Sequence, residues 1–315
     1  MIGMGSAGAQ IGNAGGWTIV STNPVKIQFA GKHVATYNPG IEEGKPFFYP
    51  LTGPTGENMT RHWPQTDLRK GEADDHVHHR GIWYGLGNVN GLDFWHFPGT
   101  KKGKAFGRIV HKGVNKNLIS GGKITVGTKS DWVNHETGAV VLQDTREFSF
   151  SHTKTGSLVL DTKITLVASQ GDVLIKDDKE GAWSIRVPAT MRLEGTVAKG
   201  GIRNSNGTDG KDAWGKRAQW VHYFGPDEKG NAAGVAILDH PSNLRHPTWW
   251  HARHYGLFTA NPFGQGNLEK ETEKGAGDHT IKKGDSLTFR YRTIFHAGEK
   301  DSVNLKAEFE AFSKE

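Results

Sequence analysis

The sequence contains no cysteine among its 315 residues. Disulfides, iron–sulfur clusters, zinc ribbons and thiol catalysis are therefore excluded. It also has no run of the roughly 20 apolar residues that a membrane-spanning helix needs, and its mean hydropathy is −0.58. A chain of this length buries roughly three quarters of its unfolded surface. We therefore expect a core that is stable without covalent cross-links. We expect no membrane partner.

The charge pattern lacks the basic stripe of a nucleic-acid-binding protein. Lys and Arg number 39 against 33 Asp and Glu, which gives a net charge of +6. The basic residues are scattered, and the longest local group is Lys101, Lys102 and Lys104. Binding to nucleic acid usually requires a basic stripe with interleaved aromatic residues. We expect a solvated positive surface and no nucleic-acid partner.

What the composition does contain is 10 Trp, 16 His and 43 Gly. Flat aromatic faces stack on sugar rings, and polar side chains hold the sugar hydroxyls. A chain rich in Trp and Gly is typical of β-rich proteins that act on carbohydrates. Composition therefore suggests a saccharide as the partner.

The first 16 residues, MIGMGSAGAQIGNAGG, show neither a helix period nor a strand alternation. We expect residues 1–16 to form a disordered arm. Ala7-Gly8-Ala9 resembles a signal-peptidase site, although no charged or apolar region precedes it. The segment is interpreted as a signal-peptide remnant or as an arbitrary tail of small residues. We expect a periplasmic or secreted protein, with a cytoplasmic one as the alternative.

Short alternating runs separated by Gly, Asn, Asp and Pro predict β-strands. The predicted strands are residues 17–22, 25–37 with a turn at Gly31–Lys32, 123–133, 139–152, 157–169, 181–186, 219–224, 234–239 and 286–295. Residues 302–315 predict an amphipathic helix with Leu305, Phe309 and Phe312 on one face. This pattern predicts an all-β fold, a large antiparallel two-sheet β-sandwich with a short C-terminal helix, formed by residues 17–315 as a single domain.

Residues 74–97 are the densest polar and aromatic segment. In extended backbone, His76, His78 and Arg80 share one face while His79 takes the other. A neighbouring arginine favours the neutral imidazole, which suits base catalysis or metal binding. The alternative is a surface histidine cluster or a histidine network that ties loops together.

A second dense segment covers residues 242–265. If it is extended, Trp249, His251 and Arg253 lie on one side, and Trp250 and His254 on the other. Arginine and histidine beside tryptophan form a plausible pocket for a sugar or a carboxylate. The alternative for the tryptophans is ordinary core packing.

The motif His76-x-His78 also resembles the paired imidazoles of β-fold metal sites. Glu57, His62 or His251 could complete such a site. Without a metal, Glu180 and Arg186 could pair a carboxylate with a cation while a histidine supplies the proton. The sequence has no nucleotide-binding fingerprint and no Gly-x-Ser-x-Gly motif.

Four motifs resemble, in order and spacing, those of the bacterial PmoA-like family, a group misnamed "methane oxygenase" whose function is unknown. They are FYPLTGPTGENMTRHWP, DHVHHRGIWYGLGNVNGLDFW, EGAWSIRV and HPTWWHARHYGLFTANPFG, within residues 47–295. The resemblance implies a galactose-mutarotase-like supersandwich, often encoded near sugar oxidoreductases and glycoside-processing genes. It implies no agreed activity, and a methane oxygenase subunit would be a membrane protein. Its implied pocket contains Arg61, His62, His76, His78, His79, Asn90, Asp93, Glu180, Arg186, His251, Arg253 and Tyr255.

We therefore expect a carbohydrate-active enzyme that uses His/Arg acid–base chemistry on a glycoside or an oxidised (keto) sugar, as a lyase, hydrolase or epimerase. The predicted catalytic residues are His76, His78, His79, Glu180 and His251. The predicted substrate-binding residues are Arg61, His62, Arg80, Trp83, Asn90, Asp93, Trp95, Arg186, Trp250, Arg253 and Tyr255. No cofactor is required in this hypothesis. The alternatives are a non-catalytic carbohydrate-binding protein, and a metal-dependent sugar lyase or hydrolase with a divalent metal at His76 and His78.

Overall fold

The computed structural model describes residues 11–269 and 272–315. In this part of the chain, twenty strands and two short α-helices account for most of the regular structure. The strands are β1 (Ile11–Ala14), β2 (Trp17–Thr22), β3 (Val25–Phe29), β4 (Lys32–Asn38), β5 (Phe47–Leu51), β6 (Ile82–Leu86), β7 (Leu92–Asp93), β8 (Ala105–Ser120), β9 (Lys123–Asn134), β10 (Val140–His152), β11 (Leu158–Val167), β12 (Val173–Ile175), β13 (Gly181–Arg186), β14 (Gly201–Asn204), β15 (Trp220–Pro226), β16 (Ala232–Asp239), β17 (Trp249–Trp250), β18 (Leu257–Asn261), β19 (His279–Ile281) and β20 (Ser286–Ala297). The helices are α1 (Gln265–Leu268) and α2 (Leu305–Phe312).

The strands build two nine-stranded sheets and one two-stranded ribbon. The first sheet has the order β1-β2-β3-β4-β5-β6-β13-β18-β17, and the second has the order β14-β15-β16-β20-β11-β10-β9-β8-β7. Strands β12 and β19 form the ribbon. Neighbouring strands are antiparallel except β7 and β8, which pair in parallel over two residues.

The two sheets pack face to face around one core. The ring of Phe148 on β10 contacts Phe48 on β5 with centroids 4.8 Å apart, and Tyr37 on β4 at 5.7 Å. Trp183 on β13 donates a hydrogen bond through Nε1 to Oγ1 of Thr293 on β20 at 3.1 Å. Side chains of both inner faces therefore interdigitate, as expected of a sandwich. The predicted antiparallel two-sheet β-sandwich is confirmed.

Helix α2 covers the outer face of the second sheet. Asn304 caps it by accepting a hydrogen bond from the Ala307 N–H at 3.1 Å. Leu305, Phe309 and Phe312 are buried against outward-facing strand residues such as Val159 and Ile294. The predicted C-terminal helix and its apolar face are confirmed.

Strand β1 corrects one part of the sequence interpretation. Its residues pair with β2, with Ile11 opposite Ile19 and Ala14 opposite Trp17. The predicted disordered arm over residues 1–16 is therefore wrong for Ile11–Ala14, because backbone pairing orders a strand without requiring an alternating sequence. Residues 1–10 lie outside the described residues, so the signal-peptide hypothesis and the expected export stay predictions.

Neither helix in the described part of the chain is long and apolar enough to cross a membrane.

Candidate functional site

The candidate site lies on the outer face of the first sheet, on the side opposite the core. Side chains alternate along β13, so Trp183 and Ile185 enter the core while Ser184 and Arg186 point away from it. Neighbouring strands follow the same rule. Phe47, Trp83 and Leu257 point outward and form a second apolar cluster with Trp95. Loops cover this outer face and carry the remaining site residues.

The long loop over residues 61–80 is fixed to this face by hydrogen bonds. The Glu72 carboxylate accepts from the backbone N–H groups of His62 at 2.7 Å, Trp63 at 3.0 Å and Arg69 at 3.2 Å. The Arg61 N–H donates to the Arg186 carbonyl at 2.7 Å. The loop is thus held at both its start and its middle, which fixes the side chains that follow.

The histidine segment turns instead of extending. The His79 N–H donates to the His76 carbonyl at 2.9 Å, and His76 has a φ of +45°. The predicted alternation of His76, His78 and Arg80 on one face is therefore wrong. The turn stacks the His76 ring on His79 with centroids 4.7 Å apart and sets His78 against His79 at 4.4 Å. Arg80 points elsewhere and lies 3.8 Å from Glu43.

Asp75 is the carboxylate around which this cluster is organised. It accepts from Arg61 Nη1 at 2.6 Å and Arg186 Nη2 at 3.3 Å, and it lies 2.8 Å from His76 Nδ1. Burial alone would raise the pKa of Asp75, but the His76 hydrogen bond and the charges of Arg186 and Arg61 hold that pKa well below its usual range. Burial, and then the neighbouring Arg61, lowers the pKa of Arg186 to about 9. Asp75 was missed in the sequence, although it directly precedes His76.

His76 has the geometry of an oriented acid–base group. Nδ1 of His76 lies 2.8 Å from the Asp75 carboxylate, which can only accept, so this contact favours a hydrogen on Nδ1 over one on Nε2. Nε2 has no hydrogen-bond partner among the described residues. The side chain is 37% exposed, and its ring stacks on Tyr255 with centroids 5.2 Å apart. His76 therefore meets solvent beside an aromatic ring and two arginines.

His78 and His79 are buried behind His76. His79 Nδ1 accepts from Arg186 Nη1 at 2.9 Å, because a guanidinium can only donate. Burial lowers the pKa of both histidines far below the ordinary value, and the charges of neighbouring groups lower it further. Both rings are therefore neutral, and in this structure they position Arg186 and His76.

A second acid–base pair joins Glu180 and His251. Glu180 Oε2 lies 3.9 Å from His251 Nδ1, which donates to the Lys179 carbonyl at 3.1 Å. Burial lowers the pKa of His251 to about 3, and it raises the pKa of Glu180 above its ordinary value. A carboxyl with a raised pKa is suited to give a proton near neutral pH.

Several buried N–H donors of this face have no acceptor within the described part of the chain. They are Nε of Arg61, Arg186 and Arg253, and Nε1 of Trp83 and Trp95. Buried donors in folded proteins are almost always paired. Arg253 also makes no ion pair with a described residue, and its guanidinium lies 5.3 Å from the Tyr255 ring.

A family model covers most of the sequence, from residue 24 to residue 310: the family of unknown function DUF6807. The chain belongs to this family. No curated protein matches the sequence. The resemblance to the PmoA-like family stays a prediction.

Solved structures with similarity to this DUF6807 member include a galactose mutarotase-like protein from Clostridium acetobutylicum. It is 11% identical, the match covers 90% of this chain and 94% of that one, and the TM-score is 0.32. An amine oxidase from Aspergillus nidulans is 10% identical, with 91% and 48% of the chains covered and a TM-score of 0.18. Likenesses at this level assign no activity to the DUF6807 member.

Some predicted site residues of this DUF6807 member lie apart from the cluster. His62 contacts the Tyr49 hydroxyl at 2.8 Å and Glu228 at 3.2 Å. Asn90 lies in an exposed turn, where its side chain donates to the Asp172 carbonyl and accepts from the Leu174 N–H. These contacts hold loops together.

Trp250 lies in the main core, away from the histidines. Its ring is fully buried in the main core, and its Nε1 donates to the Ala218 carbonyl at 2.9 Å. The ring therefore has neither a free face nor a free donor for a substrate. Trp83 and Trp95 are also buried, but they lie directly beneath the histidines, with Trp83 stacked on His79 at 5.2 Å.

Asp93, which was predicted, is buried and accepts from His96 Nδ1 at 2.9 Å. His96 was missed in the sequence, yet its ring lies 4.2 Å from that of His78. Lys45 was also missed. It is buried and donates to the Trp95 carbonyl, and burial lowers its pKa to about 7, with Asp93 opposing that shift. Lys45 is remote in sequence from the histidines, so spacing gave no signal for it.

The hypothesis of a divalent metal at His76 and His78 stays a prediction. Within residues 11–269 and 272–315, no group of three or more His, Asp or Glu side chains is arranged to hold a metal ion. Glu57 forms an ion pair with Lys229, and His62 Nε2 lies 3.2 Å from Glu228.

Two surface cavities share residues with the predicted site. One of about 220 Å³ is lined by Lys211, Trp214, Ala252, Arg253 and His254. Another of about 390 Å³ has Glu43, Tyr49 and Arg80 among its lining residues. The first adjoins the histidine cluster through Arg253, whose neighbour Tyr255 stacks on His76.

Proposed function

We propose that this protein is a carbohydrate-active enzyme that moves protons on a glycoside or a keto sugar, with His76 as the general acid–base group. The Asp75–His76 pair carries the proposal, because the carboxylate 2.8 Å from Nδ1 favours a hydrogen on that nitrogen in a side chain that is 37% exposed. The same arrangement of a carboxylate behind an imidazole serves general base catalysis in many enzymes.

Arg253 is the candidate to stabilise a developing oxyanion, whereas Arg186 is fully buried and holds His79 and Asp75. The Arg186 guanidinium lies 4.6 Å from the Tyr255 ring, which itself stacks on His76. Arg253 lies on that ring too, at 5.3 Å. Cationic donors held in a largely buried site stabilise negative charge more strongly than they would in water. Glu180, with its raised pKa, is the candidate for a second proton donor.

The charges favour elimination or epimerisation over hydrolysis by two carboxylates. Hydrolysis of that kind needs one carboxyl as an acid and a second as a free nucleophile or base. Asp75 is engaged by two guanidiniums and one imidazole, and its pKa is held low. A carboxylate bound in this way orients its partners and is a poor nucleophile. Histidine then takes the proton.

The test is a proton-NMR time course in deuterated water with a panel of glycosides, their 3-keto derivatives and uronic-acid oligomers. Deuterium entry at a sugar carbon, or a new alkene signal, supports the proposal. New reducing ends without deuterium at carbon would point to hydrolysis instead. A panel that stays unchanged at high protein concentration contradicts the enzymatic proposal.

A non-catalytic carbohydrate-binding protein is the second candidate, favoured by the partly exposed side chains of Arg253 and Trp214 at one surface cavity. It predicts stabilisation of about 2.7 kcal/mol at a hundredfold excess of ligand over its dissociation constant, with no product. A metal-dependent lyase or hydrolase would lose activity with a chelator. Running the time course with and without chelator separates these alternatives.

A further inference from the structure

A cavity of about 220 Å³ next to the histidine cluster has no role in the proton transfer described above. Its lining residues are Lys211, Trp214, Ala252, Arg253 and His254. We propose that this cavity is a subsite for a sugar ring that carries a carboxylate, so that the substrate is an acidic saccharide of at least two units. For the sugar ring that reacts at His76, this inference rests on the proposed function. For the sugar ring that carries the carboxylate, it rests on the cavity alone.

Trp214 supplies a platform for a ring. Its side chain is partly exposed, while its Nε1 is buried and has no partner in the described part of the chain. The backbone fixes this position, because the Trp214 N–H donates to the Lys211 carbonyl at 3.1 Å and the Gly215 N–H to the Trp250 carbonyl at 2.8 Å. A partly exposed indole at the wall of a cavity suits stacking against a sugar ring.

Arg253 supplies the charge. Its Nε is buried without a partner, and its side chain makes neither a hydrogen bond nor an ion pair with any described residue. Its backbone is fixed, since the Arg253 N–H donates to the Leu257 carbonyl at 2.7 Å. A guanidinium with an unused donor fork matches a carboxylate in geometry and charge.

The other charges of the cavity leave a net positive field. Glu194 forms an ion pair with Lys211 and lies 3.8 Å from His254. One carboxylate thus faces two permanent cations, Lys211 and Arg253, so an anion is favoured there. The cavity adjoins the acid–base site through Tyr255, whose ring lies 5.3 Å from the Arg253 guanidinium and 5.2 Å from the His76 ring. Two linked rings would therefore span the subsite and His76.

The test follows the indole N–H signal of Trp214 in protein labelled with nitrogen-15, assigned with Trp214→Phe. The probes are glucuronate, galacturonate, their methyl esters and digalacturonate. We expect the acids to shift this signal and to bind at least about tenfold more tightly than the esters. Arg253→Gln should abolish that difference. Glu194→Gln should tighten acid binding by about twofold to fivefold, because it removes the opposing charge.

Equal binding of acids and esters would overturn the subsite. So would a Trp214 signal that does not move when the acid is present at 50-fold the concentration at which it first raises the stability of the protein. The two proposals fail separately. If His76→Ala still binds digalacturonate and the wild type forms no product from any member of the glycoside, 3-keto and uronic-acid panel, the subsite stands and the enzymatic proposal is wrong. If the wild type processes neutral glycosides while acids leave Trp214 unmoved, the enzyme stands and the acidic subsite is wrong.

Discussion

Arg186 donates a hydrogen bond from Nη1 to Nδ1 of His79 at 2.9 Å, and its Nη2 lies 3.3 Å from Asp75. One buried guanidinium thus joins the inner histidine to the carboxylate that orients the outer histidine. The planar fork makes both contacts at once, and a lysine ammonium on a single stem does not have that geometry. Arg186 therefore helps to position His76 through Asp75, without a hydrogen bond to His76 itself.

Arg186→Lys should lower turnover by about tenfold to a hundredfold and destabilise the fold by roughly 1–3 kcal/mol, because a buried imidazole loses its donor. The measurements are turnover on the substrate found by NMR and unfolding in urea. The control is Arg203→Lys on β14, a partly exposed arginine paired with Asp209. An Arg186→Lys protein with wild-type turnover would show that the Arg186 link to His79 and Asp75 is not needed.

His76→Ala should reduce turnover by about a hundredfold or more, since the general acid–base group is lost. The side chain is 37% exposed, so the melting temperature should change little. The control is His135→Ala, an exposed histidine between β9 and β10. Unchanged turnover in His76→Ala would end its assignment as the proton carrier.

Stability should fall as the pH drops below about 6.5, the ordinary histidine value. Burial lowers the pKa of His78, His79, His222 and His251, so the unfolded chain binds more protons than the folded one in this range. The pKa of His222 is about 3 because of burial and the nearby His296. The contribution of His222 to the free energy of unfolding is full above pH 6.5 and is lost progressively as the pH falls toward 3.

His222→Gln should therefore flatten the dependence of the unfolding free energy on pH between 6 and 4, by up to about 1.4 kcal/mol per pH unit. Urea unfolding at several pH values measures this slope. His222 hydrogen-bonds His296 at 2.9 Å on the second sheet, away from the candidate site. An identical slope in the variant would mean that His222 has the same pKa in the folded and the unfolded protein.

Phe309→Ala should destabilise the protein by about 3–5 kcal/mol, because the helix loses a buried ring against the outer face of the second sheet. Turnover per folded molecule should stay unchanged, because the candidate site lies on the other sheet. Phe309→Leu serves as the control and should cost less stability. Lost turnover at a temperature where Phe309→Ala is fully folded would connect α2 to the site.

Much of the fold could be predicted where hydrophobic residues alternate. Strand β13 has the predicted bounds, 181–186, and the C-terminal helix buries the predicted Leu305, Phe309 and Phe312. The turn predicted at Gly31–Lys32 lies one residue earlier, since β4 begins at Lys32. The longest strand, β8, was missed because much of its length is exposed and polar on both faces. Pairing with β9 defines that strand, and pairing is not visible in one sequence.

The site was predictable as a region and less so as a set of residues. The histidines at 76, 78 and 79 do lie together with Arg186, but a turn brings them there in place of the expected strand. A non-glycine residue at positive φ carries no clear sequence signal. The core position of Trp250 could not be predicted, because a buried and an exposed tryptophan look alike in sequence. Lys45 approaches Trp95 only through the fold.

The alternation along β13 makes the spacing of this strand as important as its composition. Trp183 and Ile185 face the core, and Ser184 and Arg186 face the site. A one-residue insertion ahead of Trp183 would exchange the two faces, sending a guanidinium into the sandwich and an indole into the cluster. Relatives that keep this chemistry should therefore vary in length in the surrounding loops and never within this strand.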